Sequence, residues 1–180
     1  MKSYALIAVS LIVAVCIATA PASAQGVTKA TVDGVTNFNR LETTVACAGA
    51  VKATAVPELK KMGFASIINL RQATEAGADF EEEAAAAKAA DIRYYWIPFN
   101  GQMPDPAVAD KFLDAITTKG SEPAFIHCAS GNRAAAMWMI KRLVVDHWDV
   151  DRAGKEATAL GMTSVALKQF AIDYAQMRKR

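Results

Sequence analysis

The chain has 180 residues, is 53% hydrophobic and 21% charged, and carries a formal net charge of +2. A chain of this size buries about two thirds of its unfolded surface, so it needs no disulfide framework. The near-balanced charge offers no electrostatic footprint for nucleic acid, and with only two histidines no metal centre is expected.

Met1, Lys2 and Ser3 form a short positive start, and residues 4–20 are almost wholly apolar. Pro21, Ala22, Ser23 and Ala24 follow with a small-x-small pattern before Gln25. This is the layout of a secretory signal peptide cleaved after Ala24. It predicts a periplasmic or secreted protein in which residues 25–180 form one domain. The apolar run is short for a spanning helix and lacks a stop-transfer flank, so no stable membrane insertion is expected after cleavage. Val15 does not suit lipidation at Cys16, because a small residue is needed there.

Residues 25–50 scatter Val27, Val32, Val35, Phe38 and Val45 among polar positions and read as short strands and turns. Residues 56–62 read as a short helix, with Pro57 in its first turn and Gly63 as its stop. Residues 64–70 are apolar with a β-branched centre, the pattern of a buried strand. Residues 74–90, rich in Ala and Glu, are predicted as a helix with a solvated acidic face. A second strand spans 92–99 and ends at Pro98. Residues 100–106 contain Gly101, Pro104 and Pro106 and form a loop. From Pro106 a helix carries Val108, Phe112, Leu113 and Ile116 at helical spacing. Residues 123–127 are a short buried strand, and 134–145 a strong helix. Further helices cover 152–160 and 165–177, and the final Arg-Lys-Arg is a solvated tail. Strands alternating with helices predict a single α/β domain with a central, largely parallel sheet and right-handed crossovers. Ligands bind such folds at the carboxyl ends of the strands.

One segment lies at such an end. Phe125-Ile126-His127 runs into Cys128-Ala129-Ser130-Gly131-Asn132-Arg133, and a strongly helical run follows at once. The backbone N–H groups of Ala129, Ser130, Gly131, Asn132 and Arg133 can curl around an oxyanion, and Gly131 permits the tight turn. The next helix adds unsatisfied N–H donors and its positive dipole end, which completes an anion cradle. Arg133 can hold two oxygens of the anion with its planar fork. Cys128 sits at the base, where the same donors favour the thiolate, the nucleophilic form. His127 is expected to support the loop from behind. A lone cysteine would read as core, but Cys-x-x-Gly-x-Arg between strand and helix has the context that a phosphate loop requires.

His127-Cys128 with Gly131 and Arg133 resembles the phosphate-binding loop of the protein-tyrosine-phosphatase superfamily. Gly63-Phe64-Ala65-Ser66-Ile67-Ile68-Asn69-Leu70-Arg71 and Tyr95-Trp96-Ile97-Pro98 resemble two strands of its bacterial beta-lactamase-hydrolase-like branch. Trp148, Ala153, Ala157, Leu160 and Gly161-Met162 are similar to its C-terminal helices. The resemblance implies a cysteine-dependent phosphatase acting on a phosphorylated protein or small molecule through a cysteinyl-phosphate, with no cofactor. Two positions depart from the superfamily pattern. Four residues separate Cys128 from Arg133 where ordinary tyrosine phosphatases have five, a spacing shared with rhodanese-type sulfurtransferases. Ala134 stands where a Ser or Thr often follows the arginine.

A phosphatase also needs an acid for its leaving group. The loop 100–106 offers Asp105, which could equally cap the next helix. Arg71 could reach the same mouth or join an ordinary ion pair, and Gln102 could position water. In the mature chain Cys47 and Cys128 are a disulfide, two buried thiols, or a reactive thiol and a bystander. The sharpest form is a reversible disulfide protecting Cys128. Two rival functions stand beside the phosphatase: a sulfurtransferase carrying a persulfide on Cys128, and a module that binds phosphate without turnover.

Overall fold

The computed structural model describes residues 26–179; the expected leader, with Cys16, lies outside the described residues. Six strands run β1 Val27–Val32, β2 Val35–Leu41, β3 Val45–Ala48, β4 Ser66–Asn69, β5 Arg93–Trp96 and β6 Ala124–His127. The helices are α1 Val56–Lys61, α2 Phe80–Ala89, α3 Pro106–Thr117, α4 Asn132–Val144, α5 Val150–Ala159 and α6 Val165–Met177. The described strands form one sheet of order β1-β2-β3-β6-β4-β5. β1, β2 and β3 pair antiparallel, whereas β6 lies parallel to both β3 and β4, and β4 parallel to β5. The sheet is therefore mixed, and its parallel half is built from the strands expected from the α/β pattern.

The residue pattern explains why β3, β4 and β6 sit in the middle. All of their residues are buried, as expected of short strands covered on both faces. Alternation sorts their side chains into two cores. Val45, Cys47, Ile68, Ile126 and Cys128 face α3 to α6, while Ala46, Ala48, Ile67 and Phe125 face the α1–α2 side. α4 is buried along its length from Ala134 to Leu143. It lies between the sheet and α5, which is docked by Glu156 accepting from Trp138 Nε1 at 2.7 Å and from Arg142 Nε at 2.6 Å. Among the described residues no helix is long and apolar enough to cross a membrane.

The structure departs from the sequence-based expectation most clearly at residues 74–79. The predicted helix does not begin at 74; α2 starts at Phe80. Glu75 turns back to accept from the Gln72 amide at 2.8 Å. Gly77 adopts φ 70°, and Asp79 caps α2 by accepting from Glu82 N. The Ala- and Glu-rich propensity here yields to tertiary contacts made by Glu75 and Arg71. At the other end of the site, α4 begins at Asn132, two residues before its expected start, because Gly131 reverses the chain at φ 100°.

Candidate active site

β6 is the central strand of the parallel half, and its carboxyl end delivers Cys128 into a fully buried position. The Cys128 amide donates to the Ala48 carbonyl of β3, 3.2 Å away. The chain then curls. The carbonyls of Ala129 and Ser130 are tied outward, accepting from Ala50 N at 3.1 Å and from Asn37 Nδ2 at 3.2 Å. Turning these carbonyls out leaves amides for the inside of the loop. The Gly131 amide donates to Cys128 Sγ at 3.1 Å. α4 then begins at Asn132 and aims its free N–H groups and positive dipole end at the same place. Ala129, Ser130, Gly131 and Asn132 thus wrap around the Cys128 sulfur.

Arg133 closes the cradle on its open side. Its Nη1 and Nη2 donate to the two oxygens of Glu75 at 2.6 and 2.8 Å. Nη1 also donates to Leu70 O at 3.2 Å and Phe99 O at 2.9 Å. These partners occupy the far edge of the guanidinium. The guanidinium also interacts with Cys128, so it is held beside the sulfur, and a planar fork placed there can bind two oxygens of a phosphate. Burial opposes the charge on Arg133, but Glu75 and the thiol of Cys128 outweigh it and hold the guanidinium above its ordinary pKa.

Glu75 is the residue that the sequence did not single out. Burial resists its ionisation, yet hydrogen bonds from Arg133, the Gln72 amide and Arg71 prevail and bring its carboxyl down to about 2. Arg71 does not reach the mouth; it is 6% exposed and folds back onto its own loop. Its Nη2 and Nη1 donate to Ala76 O at 2.6 Å and Gly77 O at 2.7 Å, and Nε lies 3.4 Å from Glu75 Oε2. Arg71 therefore shapes the loop that carries Glu75, and Glu75 fixes Arg133.

His127 ends β6 and is buried, and its neighbour is a second unforeseen carboxylate. His127 Nε2 lies 2.8 Å from Glu83 Oε1, with both side chains buried. The alignment is poor for a hydrogen bond, and Nδ1 has no partner. Glu83 Oε2 accepts from Asn69 Nδ2 at 2.8 Å, and Asn69 Oδ1 accepts from the Arg71 amide at 2.8 Å. A continuous set of contacts thus links the back of the cysteine loop to the arginine clamp in front.

The mouth is a cleft of about 390 Å³ walled by Gln72, Glu75, Asn100, Gln102, Asn132 and Leu167, among others. Gly101 lies against Arg133, where a Cβ would stand 3.3 Å from Arg133 Cγ. Asp105 is not among these walls. Of the two roles the sequence left open, its geometry carries the cap: Oδ1 accepts from the Ala107 amide at the start of α3, at 2.9 Å. Gln102 does reach the mouth. Cys47 and Cys128 are both buried free thiols facing one core. Cys47 pairs directly with Ile126, one step short of Cys128. Burial pushes the Cys47 thiol up, and Cys128 and Glu156 add to the effect.

A cysteine at the end of a central parallel strand, a tight loop and an arginine at the start of the next helix are the layout expected of the phosphatase class of the protein-tyrosine-phosphatase superfamily, and comparison with known proteins gives that class. Residues 37–144 match the family described as beta-lactamase hydrolase-like protein, phosphatase-like domain. The chain belongs to that family, and its class of chemistry is phosphoester hydrolysis. Among solved structures, a Shewanella putrefaciens protein described as a phosphatase is similar, with TM-score 0.67 and 18% identity over 81% of this chain and 90% of that one. TpbA of P. aeruginosa, solved in complex with pTyr, gives TM-score 0.66 and 18% identity over 88% and 96% of the two chains. The core catalytic domain of the PP-IP phosphatase SIW14 of S. cerevisiae, solved with citrate, gives 0.64 and 17% over 83% and 93%. At these identities the likeness is one of fold. No curated protein sequence matches the chain significantly.

Proposed function

We propose that the chain is a cysteine-dependent phosphatase that works through a cysteinyl-phosphate. The observation that carries this reading is the pairing of Cys128 Sγ, held at 3.1 Å by the Gly131 amide, with the Arg133 guanidinium beside it. Phosphate oxygens lie on the loop amides and on Arg133 Nε and Nη2, so phosphorus sits over sulfur for in-line attack. The sulfur donates its electron pair to phosphorus, and the bond to the leaving oxygen breaks. Water then hydrolyses the thiophosphate linkage and returns the thiolate. Ala134, which is buried, supplies no hydroxyl to that second step, so the step rests on water and the loop amides. The substrate is a phosphorylated protein or small molecule, met outside the cytoplasm once the leader is removed.

The deciding experiment is hydrolysis of p-nitrophenyl phosphate by the reduced protein and by Cys128→Ser, with vanadate inhibition and thiosulfate-to-cyanide sulfur transfer run in parallel. Phosphate release that needs Cys128 and is blocked by vanadate supports the reading. Thiocyanate formation without phosphate release would replace it with a sulfurtransferase. Tight vanadate binding with neither turnover would leave a binding module.

A further inference from the structure

The leaving-group side of the cleft has its own chemistry, and it specifies more than a phosphate. Among the wall residues Glu75 is the single carboxylate, and it is ionised and bound to Arg133. It has no proton to give at neutral pH. Asp105 is engaged at the start of α3 and lies outside the walls. No aromatic ring lines the cleft either, so nothing there would stack on the ring of an aryl ester.

The walls offer amide donors instead, and their orientation is fixed. Asn132 Oδ1 accepts from Thr163 N at 2.7 Å, Thr163 Oγ1 at 3.1 Å and Ser164 N at 2.9 Å. Asn100 Oδ1 accepts from Gln102 N at 2.9 Å. With both carbonyl oxygens committed, the NH2 groups are what these two wall side chains have left to offer a ligand. Ser164 Oγ accepts from Leu167 N, which leaves its hydroxyl hydrogen free to donate. A surface of fixed donors stabilises negative charge that develops on a leaving group without protonating it.

Resting on the phosphatase reading above, we infer that the preferred substrate is a phosphoanhydride: the terminal phosphoryl group of a diphosphate. An aliphatic alkoxide is a much stronger base than a phenoxide, whose conjugate acid has a pKa of about 10. A phosphate monoester leaves as the base of an acid of pKa about 6, so it departs without a proton. In the first step the S–P bond forms and the bridging P–O bond breaks, with its electron pair going to the leaving phosphate. In the second step water adds its hydroxyl to phosphorus and its proton to the released phosphate, and Cys128 regains its thiolate. Asn100, Asn132 and Ser164 receive the leaving phosphate.

The test uses the whole protein with a matched pair, methyl diphosphate and methyl phosphate, and p-nitrophenyl phosphate as a common control. The wild type is expected to favour the diphosphate by more than about 10³-fold in kcat/KM. Asn100→Asp keeps the acceptor for Gln102 and replaces the donor with a carboxyl group. It is expected to lower the diphosphate rate by about 10²-fold, the loss seen on removing one such donor, and to raise the methyl phosphate rate. A wild-type preference under tenfold would overturn the inference. So would a methyl phosphate rate that collapses in Asp105→Asn with loss of the basic limb of its pH profile, or faster turnover of a phosphotyrosine peptide than of the diphosphate. Failure of p-nitrophenyl phosphate hydrolysis would instead remove the underlying phosphatase reading, and the inference with it.

Discussion

Glu75→Gln is the most informative single change in this protein. The glutamine preserves shape and one acceptor oxygen, but removes the charge and one of the two bonds to Arg133, now 2.6 and 2.8 Å. The two side chains are 12% and 20% exposed, so solvent screens the pair only partly. A hydrogen bond to a charged group in such a setting is worth about 1.5–3 kcal/mol. Taking about 2 kcal/mol, kcat/KM should fall roughly 30-fold. On the proposed function Arg133 would bind the phosphate analogue as well as the transition state, so the Kd for vanadate should rise with it. Wild-type values of both would refute the argument that Glu75 sets the clamp.

The same substitution carries a pH signature. The Glu75 carboxyl lies at about 2 in the folded protein, below the unfolded value of about 4.3. Its stabilisation is therefore fully present above the unfolded value and is lost as pH falls from there towards 2. The full shift would correspond to about 3 kcal/mol; partial exposure reduces this to about 1–2 kcal/mol. At neutral pH the variant should melt about 2–8 °C below the wild type. The gap should close progressively below pH 4, and a gap that held constant to pH 2 would remove Glu75 as its source.

Three further outcomes follow from the geometry. Gly131→Ala places a Cβ on a residue at φ 100°; a cost of about 1–2 kcal/mol and weaker vanadate binding are expected, read by thermal melting and titration. Glu83→Ala leaves buried His127 without its 2.8 Å neighbour and should cost about 1–3 kcal/mol while p-nitrophenyl phosphate turnover persists in the folded fraction; an unchanged melting temperature would deny the pair a structural role. After brief peroxide treatment, non-reduced mass spectrometry should show oxygen added at Cys128 rather than a bond to Cys47, because Cys47 faces Ile126 and a bridge would require the backbone to shift.

The strand–loop–helix layout around Cys128 was legible in the sequence because its information is local. Strand, cysteine, glycine, arginine and helix follow one another within a dozen residues, and each has its own physical signature. The central strands were legible for the same reason, as apolar runs bounded by glycine and polar residues. The supporting carboxylates were not. Glu75 lies 58 positions from Arg133, and its neighbourhood has the composition of a helix. Only the folded chain shows that Arg71 spends its guanidinium on Ala76 and Gly77 carbonyls and holds the loop open for Glu75. Glu83 was hidden inside what read as a solvated acidic face, although Glu83 is 4% exposed and its neighbours Glu81 and Glu82 are not buried. Asp105 was ambiguous because an acidic residue before Pro106 fits both a cap and a rigid acid, and sequence does not encode the distance that separates them.

The division of labour in the site follows from where its parts are anchored. The thiol, the loop and the first turn of α4 belong to the central strand and the most buried helix, so their geometry is fixed by the core. The leaving-group walls come from elsewhere: Gln72 and Glu75 after β4, Asn100 and Gln102 after β5, and Ser164 before α6. Loops can change their side chains without disturbing the cysteine loop, so on the proposed mechanism the same attack would serve leaving groups of different chemistry. In this chain those loops supply Asn100, Gln102 and Gln72 rather than a carboxylic acid. A cradle that expels an anion needs donors around it, whereas one that expels an alcohol needs a proton. The exchange of a single atom at Asn100, amide nitrogen for carboxyl oxygen, is therefore the change by which this fold would move between the two.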